Sequence, residues 1–127
     1  MYLLDTHVFY WYLSGEKLLN KEIMALINSD EPVYVSICSF WEMAIKNSIG
    51  KFEFDGTIND LYKDALNAYI EILPVKIPHI QGISALPFIH RDPFDRMLIS
   101  QAIYEGLTLV TADENILKYM GVKTIKA

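Results

Sequence analysis

The sequence predicts an α/β protein, a three-layer α/β/α sandwich in which helices cover both faces of a mostly parallel central sheet. Short apolar segments alternate along the chain with longer segments whose apolar residues recur at helical spacing. The short segments are typical of buried strands, and their alternation with amphipathic helices indicates βαβ units. The chain has 127 residues, the size of one ordinary domain, so we expect a single domain over residues 1–127.

In the first half of the chain, apolar runs at residues 2–4 and 33–35 predict two strands, each followed by a helix. Ser14-Gly15 interrupts the first helix, and Gly50 stops the helix that Ser36 and Ser39 open. The helices predicted in this half cover residues 7–13, 21–28, 36–49 and 57–68.

In the second half, residues 69–73, 107–110 and 122–125 are predicted to be extended. Asp92-Pro93 opens a helix, because aspartate caps helix N-termini and proline fits the first helical position. The helices predicted in this half cover residues 78–86, 93–104 and 113–120.

The chain is acidic, with a formal net charge of −5. Proteins that coat nucleic acid are usually basic, so we expect weak nonspecific binding to nucleic acid. Two interpretations remain: nucleic acid is not the substrate, or part of the acidic excess is a metal site whose cation reverses the local sign. An acidic protein can also accept a basic segment of a partner.

The chain has one cysteine, Cys38, which excludes a disulfide framework and a cysteine-rich zinc site. We expect Cys38 to be a buried core residue. The apolar N-terminus lacks the basic region of a signal peptide, and no apolar run reaches the roughly 18 residues of a membrane helix. We therefore expect a soluble, cytoplasmic protein.

Four acidic residues, Asp5, Glu42, Asp95 and Asp113, follow predicted strands or lie in the first turns of predicted helices. In a parallel sheet all four can fall at the same edge. Carboxylates brought so close raise one another's pKa, and such a cluster usually holds Mg²⁺ or Mn²⁺. These ions can activate a water for phosphodiester hydrolysis.

Helix capping is the alternative interpretation of the aspartates. Asp5 and Asp113 could each cap the helix that follows, and Asp92 with Asp95 resembles a capping box. Glu42 is harder to explain in this way, because it lies in the strongly apolar stretch of residues 39–45. Lone buried carboxylates are rare unless they are paired or bind a metal.

Four segments resemble the motifs of the PIN-domain family. Residues 3–7 with Trp11 are similar to the first motif, and residues 35–46, including Trp41-Glu42, to the second. Residues 90–102 resemble the third motif, and residues 109–113 the fourth. The segments occur in order over nearly the whole chain, and the resemblance is closest to the VapC-like toxins.

The resemblance implies the fold predicted above and an Mg²⁺- or Mn²⁺-dependent endoribonuclease, the toxin of a toxin–antitoxin pair. It implies that Asp5, Glu42, Asp95 and Asp113 form the catalytic, metal-binding quartet, with an activated water hydrolysing RNA, and that Asp92 remains a cap. We expect Asp5 and Asp95 to be the principal metal ligands. The resemblance also implies a homodimer and a small antitoxin protein that inserts its C-terminal segment near the active site.

Other residues in the motifs have two interpretations each. Thr6 and Thr111 could hydrogen-bond a carboxylate or a metal-bound water, or serve as ordinary capping hydroxyls. His7 and His90 flank two of the acids, and we expect structural or orienting roles for both. Four basic residues could meet RNA phosphates or be solvated surface: Lys46, Lys51, Arg91 and Arg96.

The aromatic residues 9–12 form either a dimer face, an antitoxin groove or part of the core. Three alternatives to the ribonuclease remain open. One is an Mg²⁺-dependent phosphohydrolase of small phosphates with Asp5 as nucleophile, although His7 stands where such enzymes usually carry a second aspartate. The others are a nuclease of DNA flaps and a PIN-like binding module without catalysis.

Overall fold

The computed structural model describes residues 1–15 and 19–127. The strands in these residues are β1 (Tyr2–Leu4), β2 (Val33–Ser36), β3 (Glu71–Leu73), β4 (Thr108–Thr111) and β5 (Thr124–Lys126). They form one sheet in the order β3-β2-β1-β4-β5, and every pairing is parallel. The prediction of a mostly parallel central sheet is confirmed.

The helices connect these strands and lie close to the predicted segments. They are α1 (Thr6–Ser14), α2 (Lys21–Ile27), α3 (Ile37–Ser48), α4 (Ile58–Asn67), α5 (Ile77–Ile83), α6 (Pro93–Glu105) and α7 (Glu114–Leu117).

Consecutive residues of β1 build the two cores of the sandwich, because neighbouring side chains of a strand point to opposite faces of a sheet. Leu4 packs in the core that contains Phe9 and Phe40, on the side of α1 to α4. Leu3 packs in the other core with Ile99 of α6. The sheet is therefore covered on both faces, and the three-layer prediction is confirmed.

Some helix ends differ from the prediction for reasons of packing. The last long segment was expected to be helical to residue 120, but α7 ends at Leu117 and Tyr119 is buried in the core. The segment expected as a helix over 78–86 ends at Ile83 and continues in turns. In α1, Tyr10 and Trp11 are partly buried and pack against the core.

The centre of the sheet is a switch in strand order. From β1 the chain continues to β2 on one side, and β4 later pairs with β1 on the other side. The Asp5 N–H, just beyond β1, donates to the Val110 carbonyl of β4 at 3.0 Å. Ligand sites of parallel sheets lie at the carboxyl ends of strands beside such a switch. Among the described residues, no helix is both long and apolar enough to cross a bilayer.

Candidate metal centre

Asp5 caps α1 with one carboxylate oxygen and faces β4 with the other. Its Oδ1 accepts a hydrogen bond from the Val8 N–H at 2.8 Å, and its Oδ2 accepts one from the Thr111 hydroxyl at 2.5 Å. The residue is only 3% exposed. Burial raises the pKa of Asp5 above its ordinary value, although both hydrogen bonds oppose the shift.

Asp113 divides its oxygens in the same way. Its Oδ1 caps α7 by accepting hydrogen bonds from the N–H groups of Asn115 and Ile116. Its own N–H donates to the Thr111 hydroxyl oxygen at 3.0 Å. Thr111 therefore connects the carboxylate of Asp5 to the backbone of Asp113, and the free Oδ2 of Asp113 lies 3.4 Å from His90 Nε2.

Glu42 is a buried carboxylate, 3% exposed, whose two oxygens both have partners. Oε1 accepts a hydrogen bond from the Thr6 hydroxyl at 2.6 Å, and Oε2 accepts one from Lys46 Nζ at 2.6 Å. The Thr6 hydroxyl also lies 3.0 Å from the Ser39 hydroxyl. Burial lowers the pKa of Lys46, but the hydrogen bond and charge of Glu42 outweigh it and raise that pKa. The pair is thus a partly buried salt bridge at the edge of the site.

Asp95 lies in the first turn of α6, and its surroundings strongly favour the protonated carboxyl. Burial, and then the negative charges of Asp92 and Glu42, raise its pKa to about 7, with His90 opposing. Asp92 is the cap of α6, because its Oδ1 accepts from the N–H groups of Phe94 and Asp95. Asp92 therefore caps α6, whereas Asp95 belongs to the cluster of acids.

His90 lies between two carboxylates. His90, Asp95 and Asp113 each place one potential ligand atom within 4.8 Å of the others. The Asp92 N–H donates to His90 Nδ1 at 3.3 Å. Because Nδ1 accepts this hydrogen bond, the ring carries a proton on Nε2, which lies 2.7 Å from Asp95 Oδ2 and 3.4 Å from Asp113 Oδ2.

This arrangement fits a divalent cation. Asp95 and Asp113 place carboxylate oxygens close together, and the negative charges of Asp92 and Glu42 also act on Asp95. Carboxylate oxygens are the ligands that Mg²⁺ and Mn²⁺ prefer, whereas imidazole also suits Zn²⁺. A cation would also relieve the repulsion that raises the pKa of Asp95.

The four predicted acids surround this point at unequal distances. Within residues 1–15 and 19–127, the carboxylates that come closest to one another and to His90 are those of Asp95 and Asp113, and Asp5 and Glu42 lie further out. Asp5 is connected through Thr111 and feels the charge of Asp113, and Glu42 acts on Asp95 through its charge. The structure thus gathers all four at one edge of the sheet.

The supporting residues divide into two groups. Thr6, Thr111 and Lys46 contact the acids directly. Arg96 does not, because it follows Asp95 by one position and its side chain points about 100° further around the helix. It is 8% exposed and donates to the carbonyl oxygens of residues 83, 87 and 90. The expectation that Arg96 meets RNA phosphates does not agree with this burial.

Sequence reasoning gave Ser39 only a part in opening a helix and gave Tyr119 no role at the site. The Tyr119 hydroxyl accepts a hydrogen bond from the His90 N–H at 2.9 Å and so positions the site histidine. The Thr6–Ser39 hydrogen bond joins residues 33 positions apart, and the His90–Tyr119 hydrogen bond joins residues 29 positions apart. No local sequence pattern predicts such contacts. His7 stacks on Trp11 with ring centroids 5.8 Å apart, and its charge lowers the pKa of Asp5.

The sequence of this chain matches a known protein family over nearly its whole length. The model of the PIN domain matches residues 2–122. The chain belongs to the PIN-domain family. No curated protein sequence matches this PIN domain.

Solved structures share the fold of this PIN domain at low sequence identity. VapBC2 of Rickettsia felis, bound to a DNA fragment from its promoter, is 15% identical with a TM-score of 0.75, over 99% of this chain and 98% of that chain. FitAcB of Neisseria gonorrhoeae is 18% identical with a TM-score of 0.69, over 99% and 97%. VapBC-5 of Mycobacterium tuberculosis, a member of the VapBC family of toxin–antitoxin systems, is 16% identical with a TM-score of 0.60, over 99% and 98%.

Proposed function

We propose that this PIN domain is a divalent-metal-dependent endoribonuclease and the toxin of a toxin–antitoxin pair. The observation that carries the proposal is the convergence of the Asp95 and Asp113 carboxylates beside His90, with Asp5 and Glu42 next to them. The family match and the toxin–antitoxin neighbours support the same assignment.

The sequence led us to expect Asp5 and Asp95 as the principal metal ligands. We propose instead that Asp95 and Asp113, whose carboxylate oxygens lie close together, hold Mg²⁺ or Mn²⁺ most directly, and that Asp5 and Glu42 complete the site. When bound, the ion would supply activation of a water nucleophile and neutralisation of charge on the scissile phosphate. The protein's own task is to hold the carboxylates in place before the cation arrives. The Val8 N–H and the Thr111 hydroxyl fix Asp5, and Thr6 and Lys46 fix Glu42.

Binding of a cation in this proposal also requires the Asp95 carboxyl to release its proton. With its pKa raised to about 7, the Asp95 carboxyl is largely protonated in weakly acidic solution and must give up that proton to bind a cation. Metal binding should therefore strengthen as the pH rises through 7.

Cleavage of total cellular RNA tests the enzymatic part. We expect discrete fragments with Mn²⁺ or Mg²⁺, none with EDTA, and loss of cleavage in Asp95→Asn. The matched control is Asp64→Asn, which removes an exposed carboxylate of α4. Fragments ending in a 5′-phosphate would agree with attack by water, whereas 2′,3′-cyclic phosphates would mean attack by the RNA 2′-hydroxyl and contradict the mechanism.

Growth of a bacterial host tests the toxin part. Expression of the chain alone should arrest growth, and Asp95→Asn should abolish the arrest. Co-expression of a cognate antitoxin, expected as the product of a neighbouring gene, should restore growth of the parent. Unimpaired growth with active, folded enzyme in the cell would contradict the toxin assignment while leaving the nuclease assignment intact.

We further propose that residues 1–127 act as one domain and form a homodimer. The family match over residues 2–122 supports the single domain. Light scattering should give twice the chain mass of 14.6 kDa at micromolar concentration. A monomer mass under those conditions would contradict the dimer.

A further inference from the structure

An exposed aromatic pair lies at the acidic edge of the sheet. Trp41 directly precedes Glu42 in α3, and Phe94 directly precedes Asp95 in α6. The two rings meet edge to face with centroids 5.2 Å apart and an interplanar angle of 82°. Trp41 nevertheless remains 62% exposed. A tryptophan side chain is usually well covered, so this much free indole beside the acids calls for a ligand.

The basic residues near the site leave little charge to hold a polyanion. Lys46 pairs with Glu42 at 2.6 Å, and Arg96 is buried among carbonyl oxygens. Arg91 and Lys51 remain exposed, but the chain as a whole carries a formal net charge of −5. Affinity for RNA must then come largely from the bound cation and from contacts that need no charge.

We propose that Trp41, held by Phe94, stacks on an unpaired base of the RNA strand beside the scissile phosphate. This inference rests on the proposed ribonuclease function and assigns to it a substrate-binding residue. Aromatic side chains bind single-stranded nucleic acid by stacking, which tolerates any base and needs no positive charge. A base is free to stack in this way only where the strand is unpaired, so the preferred substrate is single-stranded RNA.

A protein partner is the competing occupant of this surface. Apolar side chains recur every four residues along α3 and at the residue that follows it, at Ile37, Trp41, Ile45 and Ile49, and all are exposed. Such a stripe could pack against another helix. The pairing of Trp41 with Phe94, one residue from two of the acids, favours the RNA strand, and the protein partner becomes an outcome of the test.

Binding of a fluorescein-labelled, single-stranded RNA oligonucleotide tests the proposal. The measurement uses the full chain carrying Asp95→Asn, so that the probe stays intact, and compares added Trp41→Ala, Trp41→Phe and Tyr104→Ala. We expect Trp41→Ala to raise the dissociation constant by about 5- to 100-fold. Trp41→Phe should restore part of the affinity, and Tyr104→Ala, an exposed aromatic residue at the far end of α6, should change it less than twofold.

Two further readouts distinguish stacking from a structural effect. An abasic nucleotide is placed at each position of the RNA in turn. At one position it should lower the affinity for the protein that retains Trp41, and at that position it should not lower the affinity for Trp41→Ala. In a Trp11→Phe background, RNA should quench the fluorescence of Trp41. Since the quenching needs no substitution of Trp41, it decides the question even if Trp41→Ala fails to fold.

The proposal is overturned if Trp41→Ala binds RNA within twofold of the parent, or if no abasic position weakens binding. A change of oligomeric mass in Trp41→Ala with unchanged RNA affinity would assign the stripe to a protein partner instead. Failure of the ribonuclease function is distinguishable, because it appears as absence of metal-dependent cleavage by the chain with Asp95 intact. If that chain cleaves RNA and Trp41→Ala cleaves with the same KM, the function stands and the stacking role does not.

Discussion

At the scale of single residues, Asp5 and Asp113 each use one oxygen to cap a helix and leave the other for the site. A cap fixes the direction of a carboxylate through backbone N–H groups, which do not move independently of the helix. Capping and metal binding were alternatives in the sequence, and the structure makes them compatible. Asp95 has no cap and is the carboxylate whose pKa is raised to about 7.

Asp95 makes the free energy of unfolding of the metal-free protein depend on pH. In the unfolded chain its carboxyl titrates near 4, but in the folded protein burial and the charges of Asp92 and Glu42 raise its pKa to about 7. Between these values the folded state keeps a proton that the unfolded state has lost, so this residue lowers stability as the pH rises from 4 to 7. Without metal, Asp95→Asn should be about 1–3 kcal/mol more stable than the parent at pH 8 and nearly equal at pH 4.

Thermal unfolding in EDTA at several pH values checks this expectation. Asp64→Asn serves as the control, because Asp64 is exposed and should leave the pH profile of the parent unchanged. Parallel profiles for Asp95→Asn and the parent would show that Asp95 is an ordinary, well-solvated carboxylate.

Thr111 offers a second test at the residue scale. It is fully buried, donates to Asp5 and accepts from the Asp113 N–H. Thr111→Val keeps the shape of the side chain but leaves both groups unsatisfied, which should cost about 1–3 kcal/mol of unfolding free energy and weaken Mn²⁺ binding. Thr108→Val, on the same strand, is the matched control for chemical denaturation. Equal stability of the two variants would mean that Thr111 does not organise the acids.

Part of the site could be predicted from residue patterns. Asp5 and Asp113 follow strands, Asp95 lies in the first turn of α6 and Glu42 in the second turn of α3, near the edge where a parallel sheet gathers side chains. The position of His90 could not be predicted, because its contacts with Asp95 and Asp113 depend on how the loop before α6 folds back. The burial of Arg96 was missed for the same reason, since a motif shows which residues are present but not which way they point.

At the scale of elements, Arg96 connects α6 to the loop that carries His90. Its guanidinium donates to the carbonyl oxygens of Ile83, Pro87 and His90 and lies 5.0 Å from the Phe88 ring centroid. Arg96→Met should leave these carbonyls unsatisfied, cost about 2–4 kcal/mol of stability and weaken Mn²⁺ binding through the loop.

Arg91→Met is the matched control, because Arg91 is exposed. We expect Arg91→Met to keep the stability of the parent. The slope of the logarithm of the RNA-binding constant against the logarithm of salt concentration should fall by about the amount for one phosphate contact. Denaturant titration and RNA binding at several salt concentrations check both variants. A reduced salt dependence in Arg96→Met with unchanged stability would restore the expectation that Arg96 meets phosphates.

The elements themselves were largely predictable because their limits are marked by local chemistry. Asp92 and Pro93 begin α6, and Gly106 ends it with a φ of 69°, a left-handed conformation that glycine adopts without strain. The end of α7 was not predictable, because burial of Tyr119 in the second core is a tertiary effect. Local patterns therefore locate helices well and misplace ends that packing decides.

At the scale of the whole molecule, the order of strands explains how residues from distant motifs share one site. Because β1 lies between β2 and β4, the segments that follow these three strands, with Asp5, Glu42 and Asp113, meet at one edge, and α6, which leads into β4, begins at that edge with Asp95. Alternation of strands and helices predicted a parallel sheet, but strand order depends on long-range pairing that a single sequence does not display. The sequence led us to expect that the acids converge, and the strand order explains why they do.

The central claim is that this edge of the sheet holds a divalent cation, and calorimetric titration of the metal-free protein with Mn²⁺ tests it most directly. We expect saturable binding by the parent at pH 8, weaker binding at pH 6, unchanged binding by Asp64→Asn and loss of binding by Asp95→Asn. If Asp95→Asn binds Mn²⁺ as the parent does, or if the folded parent does not bind at all, the acids do not form a metal centre and the proposed nuclease mechanism fails with them.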